Sequence, residues 1–290
     1  MRLELAGSLV RPDPLIIKFN SNQNFIPKQY TDLGYTNFDV ICIGAGGGMG
    51  GGIDTANTGT LVRSYGGAGG GGGYHRKQGL LSALPATCPV VVGVGGAVGT
   101  EHASLPANTT DGGDGGASTF NTTTCMASGG KGGKRVQQNS VTLTTLAAGG
   151  DGGIGNRTIA GGGGTGGVAG TPTATGPGTA GTNGTDGTFF QNIGQGGGGG
   201  AGGVGKYGGV TCNAATNGGR GSYNPADLSV YGPGDTPDND VSSGAASVIP
   251  GGASGAKAAP VNGLPQVYGQ SLGTRSPGVA GTVIIRLTAE

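Results

Sequence analysis

Side chains recur at every third position through a series of glycine tracts, and that beat is the constraint any fold of this chain must satisfy. The first tract follows an apolar run, Phe38–Gly52, which reads FDVICIGAGGGMGGG. Further glycine runs occupy Gly66–Gly73, Asp111–Gly116, Gly129–Gly133, Gly149–Gly155, Gly161–Gly170, Gly176–Gly187 and Gly196–Gly205. Between the glycines stand Asp111, Asp114 and Ala117; Ser128, Lys131 and Lys134; Ala148, Asp151 and Ile154; and Ala201, Val204 and Tyr207. Gly161, Gly164, Gly167 and Gly170 keep the same phase, as do Gly178, Gly181, Gly184 and Gly187. An α-helix repeats at about 3.6 residues and a strand at 2, so neither accounts for a period of three.

A period of three belongs to an extended left-handed helix of the polyproline II type, which rises about 3.1 Å per residue. That helix makes no internal hydrogen bonds, so its buried N–H and C=O groups need partners on neighbouring chain. With glycine on two of three edges, backbones can approach closely enough to supply them. The predicted fold is therefore mostly irregular with some β: stacked polyglycine-II-type helices forming a slab, flanked by a few β-strands. Gly44, Gly47, Gly50, Gly130, Gly133, Gly152, Gly164 and Gly202 are its structural glycines. The third edge places each tract. Asp111, Asp114, Lys131 and Lys134 should border solvent, whereas Ala201, Val204 and Tyr207 should face another layer. One long collagen-like triple helix is disfavoured, because the beat is interrupted and the chain turns back repeatedly.

Disorder is the bland alternative, since glycine supplies 72 of 290 residues and loses the most backbone entropy on ordering. The net charge of +1 argues against the highly charged disordered class. Apolar segments such as Cys88–Val94 and Thr282–Leu287 also recur between the tracts. The same balance leaves no electrostatic footprint for nucleic acid, and no apolar stretch is long enough for membrane insertion. The first fifteen residues do not read as a signal peptide, which suggests synthesis in the cytoplasm. Cys42, Cys88, Cys125 and Cys212 lack C-x-x-C spacing, so neither zinc nor a disulfide framework is indicated. Cys42 and Cys88 read as buried apolar residues.

In chain order, residues 1–37 form a β-leaning segment broken by Pro12, Pro14 and Pro27, either a cap or an attachment arm. Residues 38–290 form the glycine-rich domain, within which 221–277 is rich in loops. The closing Thr282–Leu287 is a clear strand that can pair with Phe38–Ile43.

The run FDVICIGAGGG, the segment from Gly66 to Ala97 and the closing GTVIIRL resemble the glycine-rich domain of bacteriophage minor tail proteins. The wider architecture is similar to the glycine-helix region of tail-fibre tip adhesins in T-even-like phages. The resemblance spans about residues 38–290. It implies a virion component at the tail tip, with a scaffold that presents loops to the host. The implied partners are other tail proteins and a host receptor or glycan, with a homotrimer left open.

Gly46, Gly48 and Gly51 match a dinucleotide-binding spacing, but no helical pattern follows to hold a pyrophosphate. No cofactor is expected. His75 and His102 are the only histidines; His75 reads as a solvated turn, and no catalytic or metal cluster accompanies either. Asp111, Asp114, Asp151 and Asp186 do not repeat as calcium-binding nonapeptides. The candidate recognition residues are Tyr223, Tyr231 and Tyr268 with Asp235, Asp238 and Asp240, rings and carboxylates suited to a glycan. An ice-binding protein is the rival class; it needs rows of small exposed side chains where Asp and Lys stand. An oxidoreductase through Gly46–Gly51 is the third.

Overall fold

A computed structural model of the protein describes residues 11–55, 62–64, 67, 69–100, 109–135, 137–138, 143–145, 189–190, 194–195, 205–206 and 277–289. In chain order the elements begin with β1 (Leu15–Phe19), β2 (Gln23–Phe25), α1 (Pro27–Thr31), β3 (Asn37–Ile43), β4 (Ile53–Thr55) and β5 (Val62–Ser64). There follow β6 (Tyr74–Leu80), β7 (Cys88–Val91), β8 (Ser118–Phe120), β9 (Cys125–Ala127), β10 (Gln137–Gln138) and β11 (Leu143–Thr145). The last are β12 (Phe189–Phe190), β13 (Gly194–Gln195), β14 (Gly205–Lys206) and β15 (Thr282–Thr288).

Alternation builds the frame, because successive strand side chains point to opposite faces. In β3, Phe38, Val40 and Cys42 join one buried cluster, whereas Ile41 and Ile43 join another. In β15, Val283, Ile285 and Leu287 join the first and Ile284 the second. β3 and β15 pair antiparallel from Ile43↔Thr282 to Asn37↔Thr288, the pairing that the sequence suggested. On its other side β3 pairs with β6 along the whole strand, Asn37↔Leu80 to Ile43↔Tyr74. The full sheet has six strands in the order β1-β15-β3-β6-β13-β12.

A second antiparallel sheet, β2-β7-β8-β9, packs on the first. Phe25, Cys88, Val90, Phe120, Cys125 and Ala127 meet Phe19, Phe38, Val40, Cys42 and the apolar face of β15 in one core. Phe120 lies at its centre, 5.6 Å from the Phe25 ring and 6.0 Å from that of Phe38. Tyr30 of α1 stacks on Phe25 at 4.9 Å. The N-terminal segment expected to be a cap or arm thus contributes β1 and β2 to these two sheets. Cys42 and Cys88 are fully buried, as read from the sequence.

The fold class needs correction. The described residues are mostly antiparallel β-sheet with almost no helix, and no stacked helical slab is shown. The glycine segments run out of the strands instead. β3 continues into 44–51, β7 into 93–99 and β9 into 128–134, while 69–73, 110–116 and 278–281 lead into β6, β8 and β15. The ladder bonds carry on past the strand ends: Gly44, Gly47 and Gly50 donate to the carbonyls of Gly73, Gly70 and Gly67. Ala45, Gly48 and Gly51 donate to Gly116, Gly113 and Thr110, which belong to the other sheet's continuation. Gly46 donates to Val279, and Gly130 and Gly133 return bonds to Ala45 and Gly48. Two sheets kept about 10 Å apart by side chains therefore merge where the side chains stop.

Close approach explains why glycine occupies these places. A Cβ at Gly47 would overlap the Lys131 carbonyl, one at Gly44 that of Ser128, and one at Gly50 that of Lys134. At Gly130 it would overlap the Gly70 carbonyl. Gly133 takes part through the amide and carbonyl already bonded, whereas Gly152, Gly164 and Gly202 lie outside the described residues. We expect Gly130→Val to abolish recovery of folded protein, because main chain cannot retreat as a side-chain tip can. Lys131→Val, on an exposed edge, should change stability by less than about 1 kcal/mol. Equal losses of soluble protein from the two variants would contradict this account.

Candidate functional site

The face of the six-stranded sheet turned away from the main core combines apolar and charged residues. The strand registers set Gln78, Asp39, Arg286 and Ile16 side by side across β6, β3, β15 and β1. One pair closer to the strands' glycine ends, Arg76, Ile41, Ile284 and Lys18 form the next row. Asp39 is only 8% exposed and needs compensation at that depth. Arg76 provides it from a neighbouring row, its Nε donating to Asp39 Oδ1 at 2.9 Å and its Nη2 to Oδ2. Gln78 Nε2 donates to the same Oδ2 at 2.8 Å. Asp39 is therefore fully engaged from the β6 side. Arg286, on its other side, has a buried Nε with no hydrogen-bond partner.

Asp39, Gln78 and Arg286 line a cleft of about 470 Å³ at the end of the sheet, with Asn37, Leu80 and Thr288 at its rim. The volume lies within the usual range for small-ligand sites, about 300–1,000 Å³. Arg286 and Asp39 bring one guanidinium and one carboxylate to the cleft, and the carboxylate is held by Arg76 from beyond the lining. The sequence reading missed this site, although a signal existed: Asp39 and Arg286 each interrupt an otherwise apolar strand, and both fall on the same face.

A second polar group forms on the glycine segments. Lys131 Nζ reaches Asp114 Oδ2 at 2.7 Å, and Lys134 Nζ reaches Asp111 Oδ2 at 3.2 Å. The free carboxylate oxygens cap main chain, Asp114 Oδ1 accepting from the Gly132 amide at 2.9 Å and Asp111 Oδ1 from that of Arg135 at 2.8 Å. All four side chains are exposed, where the sequence placed them. Partial burial pushes the Asp111 carboxyl up, but the Arg135 amide and the Lys134 ammonium outweigh it and hold it below the ordinary aspartate value. For Asp114 the same contest is decided by Lys131 and the Gly132 amide.

His75 departs from expectation. It is no solvated turn but a buried residue of β6, 4% exposed, whose Nδ1 accepts the Met126 amide at 3.1 Å. Beside it the Cys125 thiol donates to the His75 carbonyl at 3.2 Å. Cys42 lies against Cys125, and burial pushes its thiol well up. A nucleophilic cysteine needs thiolate character and access; both sulfurs here belong to fully buried residues. The dinucleotide-like glycines are likewise spent, since the Gly46, Gly48 and Gly51 amides all donate to main-chain carbonyls. The recognition candidates Tyr223, Tyr231, Asp235, Asp238, Asp240 and Tyr268 lie outside the described residues, as does His102. Among the described residues no His, Cys, Asp and Glu group is arranged to hold a metal, and no helix is long and apolar enough to cross a membrane.

Two packed antiparallel sheets that run into main-chain-bonded glycine segments define an all-β glycine-rich domain. The family model described as Glycine-rich domain matches residues 27–288. The chain belongs to that family. No curated protein matches the sequence.

Two predictions separate the two charge groups. Asp39→Asn removes the carboxylate charge that Arg76 bonds in a largely buried setting and should cost about 3–5 kcal/mol, whereas Asp114→Asn should cost less than about 1 kcal/mol. Urea midpoints of the two variants test the contrast, and similar shifts would refute it. Because the Asp111 and Asp114 values are lowered in the fold, their contribution is complete above the ordinary aspartate range, about pH 4, and is lost as pH falls through the lowered values. Stability measured from about pH 5 to pH 2 should therefore fall less steeply in a Lys131→Met/Lys134→Met double variant. Superimposable acid limbs would argue against the Lys131–Asp114 and Lys134–Asp111 pairs.

Proposed function

We propose that this protein is a non-enzymatic structural component of a bacteriophage tail, a minor tail protein or tail-tip adhesin that presents loops to the host surface. The observation that supports it most is the junction of sheet and glycine segments. Main chain bonded directly to main chain makes a stiff base on which loops can be carried. Rigid scaffolds carrying variable loops are a common arrangement for recognition. The landmark strands β3 and β15, which carry the resemblance to phage minor tail proteins, are adjacent at the centre of the larger sheet.

On this reading the loop residues 221–277, including Tyr223, Tyr231, Asp235, Asp238, Asp240 and Tyr268, meet a host receptor or glycan. The other partners are neighbouring tail proteins. The non-enzymatic part is supported by the closure of the Cys42–Cys125–His75 group and by the use of the Gly46, Gly48 and Gly51 amides in main-chain bonds. Electron microscopy of virions labelled with antibody against this chain should show label at the tail end. Label absent from the particle would remove the assignment, and hydrolysis of host-envelope polymers that is lost on substituting one carboxylate would overturn the non-enzymatic reading.

A further inference from the structure

Arg286 is the residue that the fold itself does not explain. Buried polar groups in folded proteins are almost always hydrogen-bonded, and an exception calls for a cause. Its nearest carboxylate across the sheet, Asp39, is occupied by Arg76 and Gln78 from the opposite side. The guanidinium keeps its charge, and among the described residues no carboxylate forms an ion pair with it. A guanidinium offers a planar fork of N–H donors that matches a carboxylate.

The rest of the cleft narrows the choice of anion. Gln78 gives its Nε2 to Asp39, which leaves its Oε1 as an acceptor. Asn37 gives its Nδ2 to Thr36 Oγ1 at 3.0 Å and likewise keeps an amide oxygen in hand. Thr288 adds a hydroxyl at the rim. Amide oxygens repel a bare anion but accept from hydroxyl groups. Leu80, 55% exposed beside them, supplies an apolar patch against which the C–H face of a ring can lie.

We propose that this cleft binds a hydroxylated carboxylic acid of monosaccharide size, a sugar acid. Its carboxylate sits on Arg286, and its hydroxyls sit on the amide oxygens of Gln78 and Asn37 and on Thr288. The cleft of about 470 Å³ has room for one such ring. The site is built from the sheet and not from the 221–277 loops, so it stands or falls separately from the tail assignment.

Calorimetric titration of the full chain tests this with sodium glucuronate, glucose, sodium acetate and inorganic phosphate. Glucuronate should bind saturably, with glucose and acetate each at least about tenfold weaker, because each lacks one half of the recognition. Arg286→Gln breaks no bond present in the fold; it should keep the melting temperature and weaken glucuronate at least about tenfold. Thr288→Val should weaken glucuronate and leave acetate unchanged, and it carries the test should Arg286→Gln fail to fold. Phosphate or acetate binding as tightly as glucuronate would reduce the cleft to a plain anion site and overturn the proposal. So would the absence of any binding, or undiminished glucuronate binding in both variants.

Discussion

The fold depends on main-chain amides and carbonyls meeting at distances that no Cβ allows. In the sandwich the two sheets are separated by Phe38, Phe120, Val40 and their neighbours, and strand pairs with strand only within each sheet. Past Ile43 the separating side chains vanish. The continuation of β3 then bonds sideways to that of β6, and also across to that of β8, a strand that β3 only packs against within the sandwich. Hydrophobic packing and main-chain bonding are thus two halves of one arrangement. The core fixes where the strands leave the sandwich, and glycine fixes how closely they run afterwards. An amide buried among other backbones has no water to fall back on, so each of these bonds matters mainly through the cost of losing it.

That dependence accounts for which features were legible in the sequence. The strands β3 and β15 announced themselves because their apolar content exceeds one face, and their pairing followed. The exposure of Asp111, Asp114, Lys131 and Lys134 followed from the beat of three. β6 was not legible. Its sequence, YHRKQGL, has no apolar alternation, and it is a strand because β3 offers a complete ladder to pair with, not because its side chains demand burial. His75 was misjudged for the same reason: a polar residue next to a glycine run looks solvated until the opposing sheet supplies Met126 to occupy its ring nitrogen.

The fold class failed at a more general point. A side-chain period describes which edge of a segment is crowded, and a three-residue beat is compatible with more than one set of partners. The partners here are set by the strands at either end, which the period does not encode. Nor does it encode β1 and β2, whose residues read as a cap or an attachment arm and which supply a strand to each sheet. The candidate cleft shared that fate, since Asp39, Arg76, Gln78 and Arg286 come together only through the registers of three strands.

Those registers raise the question of what keeps them from slipping, because glycine segments offer little side-chain identity to hold them. A shift of one residue in β3 would carry Asp39 to the core face, into the layer of Phe38 and Val40, and would turn Phe38, Val40 and Cys42 away from the main core. A buried carboxylate without Arg76 and Gln78 costs far more than a misplaced leucine. Asp39 therefore does more for the uniqueness of the pairing than for its strength: its ion pair, little more than break-even against a hydrophobic pair, forbids the neighbouring register. The glycine segments inherit that choice. Gly44 meets Gly73 because Ile43 meets Tyr74, and Ile43 meets Tyr74 because a charge further along the same strand tolerates a single position.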